Sequence, residues 1–163
     1  MKSVNAPTTG IVCCDHIPDD STVWQQIRSL RYELFYRIHG LPESVMDDGL
    51  DNNAWHVYAT HGDRVIGYGR VTATPDSWWR VTAMVVATEF QRTGVGSRIM
   101  MALMDAAISQ HARGLTLTAR TSAVGFYLRH GFNTEGDIFP SAITGIPHIK
   151  MTLNLLNRQS GHL

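Results

Sequence analysis

The sequence predicts an α/β domain built on a mixed β-sheet, and three observations predict it. Turn-bounded strand patterns follow one another over residues 55–60, 65–74 and 78–86, so this part of the sheet is antiparallel. The last of them feeds a glycine-rich turn that opens directly into a Met- and Ala-rich helical pattern. A short strand pattern at 115–119 follows, as expected of a parallel neighbour reached by a helical crossover. Consecutive hairpins ahead of that crossover exclude a doubly wound nucleotide fold, where strands and helices alternate from the start.

In chain order, residues 1–10 read as a loose polar lead-in and 11–17 as a first strand. Pro18, Asp19, Asp20 and Ser21 supply turn residues, and Thr22 with Gln25 makes a capping box for the first helix. Val23, Ile27, Leu30, Leu34 and Ile38 form one buried stripe, flanked by Trp24 and Phe35, and Gly40 stops the helix. Residues 41–53 hold Pro42, Gly49 and four acids, the composition of a solvated connection with room for a short second helix or a substrate lid. A hairpin turn falls at 61–64 and another turn at 75–77. Past the glycine turn, Ile99, Met100, Leu103, Ala106 and Ala107 share a helix face, and Gly114 is its expected stop. Thr121 or Ser122 caps a further helix through His130, ended by Gly131. Strands at 132–135 and 148–155 close the domain, which spans 11–157, with 158–163 as a polar tail.

Composition narrows the function. The 163 residues are 44% hydrophobic and 17% charged with a formal net charge of zero, which suits one compact core. No global field favours nucleic acid or an acidic membrane, and neither is an expected partner. No apolar run reaches the ~20 residues that span a bilayer, and no secretory signal pattern opens the chain. Cys13 and Cys14 are neighbours whose side chains diverge in a strand, a poor geometry for a disulfide. They also lack metal-ligand spacing. A reducing cytoplasm and no metal are the expectations.

The glycine-rich turn carries the chemistry. A strand, a glycine loop and a helix N-terminus together converge backbone N–H groups and the positive end of the helix dipole on one point, an anion site. Gly94 and Gly96 carry no Cβ and let a phosphate approach the backbone. A P-loop would need a Lys after its last Gly, and none follows here. The pattern is Gln-x-x-Gly-x-Gly, at Gln91, Gly94 and Gly96, and it resembles the pyrophosphate loop of the GCN5-related N-acetyltransferases (GNAT). A second segment, Ala123-x-x-Phe126-Tyr127-x-x-x-Gly131-Phe132, is similar to the other hallmark of that superfamily.

The resemblance implies a mostly antiparallel, six- to seven-stranded mixed sheet flanked by about four helices. Its fourth and fifth strands splay apart around acetyl-CoA, which serves as co-substrate. Backbone at Met84, Val85 and Val86 would pair with the pantetheine arm, and Gln91, Arg92, Thr93, Gly94, Val95, Gly96 and Ser97 would hold the pyrophosphate. Arg129 would lie towards the 3′-phosphate, and Arg120 stands where many relatives carry an Asn that touches the cofactor. Spacing alone makes Tyr127 a core aromatic with Ala123 and Phe126; the resemblance implies a general acid that protonates the departing thiolate.

A closer likeness, to the ElaA-like or YjcF-like branch, lies in four segments. They are Leu30-Arg31 with Phe35 and Pro42; Asp48-x-x-Asp51-x-x-Ala54-x-His56; Gly67-x-Gly69-Arg70; and Gly145-Ile146-Pro147-His148. The chain departs from that branch at Ile38-His39 and Met46. Candidates for acceptor binding or the general base are Glu33, His56, Arg70 and His148, with Asp48 and Asp51 beside them. A buried Asp51–His56 or Asp48–Arg70 pair would serve folding equally well. The expected activity is acetyl transfer to an amine of a small molecule or protein. A non-catalytic acyl-CoA-binding module is the other class, and an exposed strand edge would suit a homodimer.

Overall fold

A computed structural model describes residues 8–159. Seven strands form one sheet in the order β1-β2-β3-β4-β5-β7-β6. They are β1 (Thr9–Cys14), β2 (Ala54–His61), β3 (Arg64–Ala73), β4 (Trp78–Val86), β5 (Gly114–Arg120), β6 (Asn133–Pro140) and β7 (Pro147–Asn154). Every neighbouring pair is antiparallel except β4 with β5. The helices are α1 (Ser21–Phe35), α2 (Val95–Ser109), α3 (Val124–Arg129) and α4 (Leu156–Gln159).

Over β3 and β4 the sheet buries both faces, whereas β6 is exposed along its length. On one side α2 and α3 pack Ile99, Leu103 and Tyr127 against Val71, Val81, Leu117 and Met151. Ile99, Met100 and Leu103 are fully buried there, and each such side chain contributes about 1.5–3 kcal/mol relative to exposure. On the other side α1 lays Ile27 onto Val65, Tyr68 and Val85. Strand alternation therefore assigns Leu115, Leu117 and Ala119 to the α2 face and Thr116, Thr118 and Arg120 to the α1 face.

The parallel pair is short. Trp78, Trp79 and Arg80 pair with Gly114, Leu115 and Thr116, and the ladder ends there. Further along, β4 bulges against β3: Tyr68 pairs with Val85 and Arg70 with Thr82, so β4 carries one residue more than β3 between those pairs. Ala83, inside that interval, has a left-handed φ of 57°. A bulge bends its strand and sharpens its twist, and here it turns β4 away from β5. The seam that opens is the site of interest.

Several local expectations need correction. Asp20, not Thr22, caps α1, accepting from the amides of Thr22 (2.8 Å) and Val23 (3.4 Å). An aspartate three residues ahead of an amide reaches it better than the hydroxyl of a residue already inside the helix. The helix ends at Phe35 and a 3-10 turn, Arg37–His39, follows, so Ile38 leaves the buried stripe and is 82% exposed. Residues 41–53 contain two 3-10 turns, Glu43–Met46 and Asp51–Asn53, rather than an α-helix. Helix α2 closes at Ser109 with His111 left-handed, and Gly114 begins β5. A 3-10 turn, Thr121–Ala123, precedes α3, and no side chain caps that helix. Strand β1 starts at Thr9 and ends at Cys14, earlier at both ends than the hydrophobic pattern, and β6 runs on to Pro140. The tail enters α4 through Gln159, and residues 1–7 and 160–163 lie outside the described residues.

Gly114 is where the parallel pair begins, and its missing Cβ is required. A Cβ there would sit 2.4 Å from Trp78 Cζ3 and 2.6 Å from the backbone oxygen of Leu153. Gly114→Ala is expected to lower unfolding free energy by about 1–3 kcal/mol, read from the midpoint of urea unfolding. An unchanged midpoint would mean the pair is not closely packed.

Candidate functional site

The glycine loop keeps its geometry through bonds at both ends. Gln91 Nε2 donates to the Val86 carbonyl at 3.0 Å, and the Thr93 hydroxyl donates to the Phe90 carbonyl. Arg92 (φ 63°) and Gly94 (φ 88°) both take left-handed backbone. Alternating backbone of this kind turns successive N–H groups inward as a nest. No side chain caps α2, so the amides of Val95, Gly96 and Ser97, which a helix cannot satisfy itself, stay available. A ligand can approach closely at Gly94, since a Cβ there would meet nothing within 4 Å. Helix α3 braces the far side: Phe126 packs 3.3 Å from a Cβ at Gly96, and the His130 ring nitrogen Nε2 bonds Ser97 Oγ at 3.0 Å.

The seam between β4 and β5 is a cleft of about 350 Å³. Met84, Arg70, Tyr127 and His148 line it, together with Arg31, Asp48, Thr82 and Arg120. Tyr127 enters from the α2 face and is 9% exposed; burial pushes its phenol up to about 12. It holds its proton throughout the physiological range. His148 pairs in register with Arg120 and enters from the α1 face. Its Nδ1–H donates to the Ile146 carbonyl at 2.7 Å, because a carbonyl can only accept. That assigns the lone pair of the neutral ring to Nε2.

Behind the cleft, on the α1 face, lies a buried polar network. Arg70 donates from Nε to Thr82 Oγ1 at 2.8 Å and from both terminal nitrogens to Asp48 and Asp51. Arg31 donates to Asp51 Oδ1 at 3.3 Å, and its guanidinium lies 5.6 Å from the Tyr68 ring centre. Burial alone would raise the Asp48 carboxyl; the Arg70 hydrogen bond and charge outweigh it and hold Asp48 below the usual carboxylate range. Burial likewise works against the Arg70 cation, and the two aspartates more than restore it. His56 Nε2–H donates to the Asp51 carbonyl at 2.9 Å and Nδ1 accepts from the Tyr68 hydroxyl at 2.6 Å. Its lowered pKa, which follows from burial, agrees with that neutral state.

The structure therefore sorts the candidates from sequence. Met84, Arg70, Tyr127 and His148 meet in one cleft, while Val85 is buried in the α1-face core. The Val86 carbonyl is already taken by Gln91. Glu33 lies elsewhere, paired with Arg37 at 2.7 Å and lining a separate groove between α1 and the start of β3 with Leu30, Arg64 and Thr88. His56 has both nitrogens committed and sits behind the cleft. Arg129 is exposed on α3. Sequence reasoning gave Arg31, named only within the branch likeness, no place in the site, and it missed Thr82. Arg31 stands four residues after Ile27 on the buried stripe, and a charge in that position was the available signal.

Residues 25–155 match the family model described as the acetyltransferase (GNAT) domain. The chain is 32% identical over 124 residues to the uncharacterized N-acetyltransferase YjcF of Bacillus subtilis (strain 168), covering 75% of this chain and 86% of that one. Its fold is similar to that of Escherichia coli ElaA, with a TM-score of 0.78 at 18% identity over 90% of this chain and 100% of that one. An aminoglycoside 6′-N-acetyltransferase complexed with coenzyme A gives 0.73 at 14% identity, covering 89% and 97%. The chain thus belongs to the GNAT acetyltransferase family. Within it, the chain is a relative of YjcF, and the likeness to ElaA is one of fold. Among the described residues no helix is long and apolar enough to cross a membrane.

The state of His56 has a measurable consequence. Its folded-state pKa lies below that of the unfolded chain, so the unfolded state takes up the proton first as pH falls. The stability it contributes is complete above about pH 6.5 and is lost as pH drops through the folded-state value. His56→Gln, with an amide in place of the ring, is expected to flatten that part of a Tm-against-pH profile. Parallel profiles for the two proteins would contradict the neutral assignment.

Proposed function

We propose that this protein is an acyl-CoA-dependent N-acyltransferase that moves an acetyl group directly from the CoA thioester to an amine of a small molecule or protein. One observation carries the reading. A phenol held protonated and a histidine ring whose Nδ1 is tied to a carbonyl, with Nε2 unpaired among the described residues, enter the same open seam from opposite faces of the sheet. The nest at residues 92–97 supports pyrophosphate binding on the Tyr127 side, with Gln91 bracing the loop. Along β4 the edge at Met84 and Val85, unpaired towards β5, supports a role in holding the pantetheine arm.

In this reading His148 Nε2 takes a proton from the acceptor ammonium. The freed nitrogen attacks the thioester carbonyl, forming the C–N bond. Collapse of the tetrahedral intermediate breaks the C–S bond, and the Tyr127 hydroxyl protonates the departing thiolate. The surplus proton on the new amide nitrogen then restores the phenol, and His148 releases its proton to solvent. General acid–base steps of this kind contribute roughly 10²–10⁴-fold each when the groups are within hydrogen-bond reach.

Two substitutions test the assignment separately. Tyr127→Phe keeps the ring packing and is expected to lower kcat by roughly 10²-fold with the dissociation constant for acetyl-CoA unmoved; an unchanged kcat removes Tyr127 from the chemistry. Gly94→Val puts a β-branched side chain on left-handed backbone and into the space over the nest. It is expected to weaken CoA binding about tenfold or more, measured by calorimetry, and retained affinity would count against the loop. Tight acetyl-CoA binding without thiol release on any amine would identify a binding module instead.

A further inference from the structure

The α1 face of the seam holds positive charge that the protein itself does not match. Arg70 is satisfied: Thr82, Asp48 and Asp51 take its donors. Arg31 is not. It is 1% exposed and lines the cleft, yet it has one long bond to an Asp51 carboxylate already shared with Arg70. Its Nε–H is buried with no acceptor, a costly arrangement for a cation unless something else supplies one. Tyr68 offers the face of its ring, which accepts charge but leaves the edge of the guanidinium open.

Arg120 is the third cation. Its guanidinium carbon lies over the Phe35 ring, 5.1 Å from the centre, and among the described residues it makes no ion pair. A contact with a ring face holds the cation but gives its N–H donors no oxygen acceptor. Phe35 and Arg31 are four residues apart on α1, so they are neighbours on one helix face. The unused donors of Arg120 and Arg31 therefore belong to one corner of the cleft. That corner is on the opposite face of the sheet from the nest and from Tyr127, so the phosphates of the cofactor do not explain it.

We propose that the acceptor amine belongs to a small zwitterionic molecule whose anionic group, a carboxylate or a phosphate, is held by Arg120 with Arg31 behind it. The proposal rests on the acyltransferase reading above. It places the acceptor's amino group towards His148, the register partner of Arg120 on the same face. The planar guanidinium fork matches both anions bidentately. The same positive charge disfavours the ammonium form of the acceptor and so assists the proton loss that attack requires.

Matched acceptors test it: amino acids against their amides, and phosphoethanolamine against ethanolamine, each with acetyl-CoA. The anionic member of at least one pair is expected to show a kcat/KM about tenfold or more above its neutral partner, and which pair shows it identifies the anion. Arg120→Gln is expected to bring that ratio to within roughly threefold through the acceptor KM, with the acetyl-CoA KM unmoved. Neutral acceptors used equally well would overturn the proposal, as would an Arg120→Gln protein whose defect lies in the acetyl-CoA KM. Binding of the same pairs to CoA-saturated protein, read by saturation-transfer NMR, separates the two readings. Anion-selective binding without turnover counts against the acyltransferase reading alone, whereas unselective or absent binding overturns this one.

Discussion

Two parallel strands that stay together for three residue pairs and then separate set up everything else in this molecule. In a sheet, an unpaired backbone edge is normally a cost, because buried N–H and C=O groups need partners. Here the cost is incurred in the middle of the sheet rather than at its margin. The extra residue at the β4 bulge, with Ala83 held left-handed, turns the strand aside. Strained backbone of this kind persists only where its surroundings over-determine it, and β3 on one side and α2 below supply that constraint. The gap connects the two faces, so groups from α3 and from β7 reach one cleft across a sheet that would otherwise separate them.

The polar network on the α1 face gives the gap a wall. Asp48 and Asp51 come from a segment without α-helix or strand, and their bonds to Arg70 and Arg31 tie that segment to β3 and α1. Buried charges held this way contribute little net stability, yet removing one partner leaves an unmatched charge and costs about 3–5 kcal/mol. The carbonyl of Asp51 adds a second tie through His56 and Tyr68. What the network provides is position. It holds the wall of the cleft in one arrangement, with the guanidinium of Arg70 spent on that task and those of Arg31 and Arg120 left with donors to spare.

Much of this was legible from residues alone, and the reasons for the rest are physical. The turn into α2 was readable because a strand that feeds a helix so tightly needs glycine at fixed spacing, and Gly94 takes left-handed backbone there. Tyr127 was readable only alongside Gly131 and Phe132, since a lone aromatic on a helix is ordinarily core. The fate of Ile38 was not: its spacing continued the apolar stripe, but the α-helix had already ended at Phe35. Thr22 has the spacing to Gln25 that a capping box needs, and only the backbone shows that the helix starts at Ser21 and puts Asp20 in the capping place. His56 illustrates the limit on the site itself. A histidine beside two acids looks like a base until a carbonyl and a phenol are found on its two nitrogens. Arg31 was the reverse, a residue that a count of stripe positions passes over and that burial brings forward.

In the proposed function the thioester reaches the open seam along β4 with its pyrophosphate in the loop ahead of α2. Amide hydrogen exchange with and without acetyl-CoA tests it most directly, because it reads the backbone groups on which the claim depends. Slowed exchange is expected at residues 83–86 and 92–97, with no change in the groove lined by Gln26, Leu30 and Arg64 between α1 and the start of β3. Protection in that groove, with 92–97 unchanged, would contradict it.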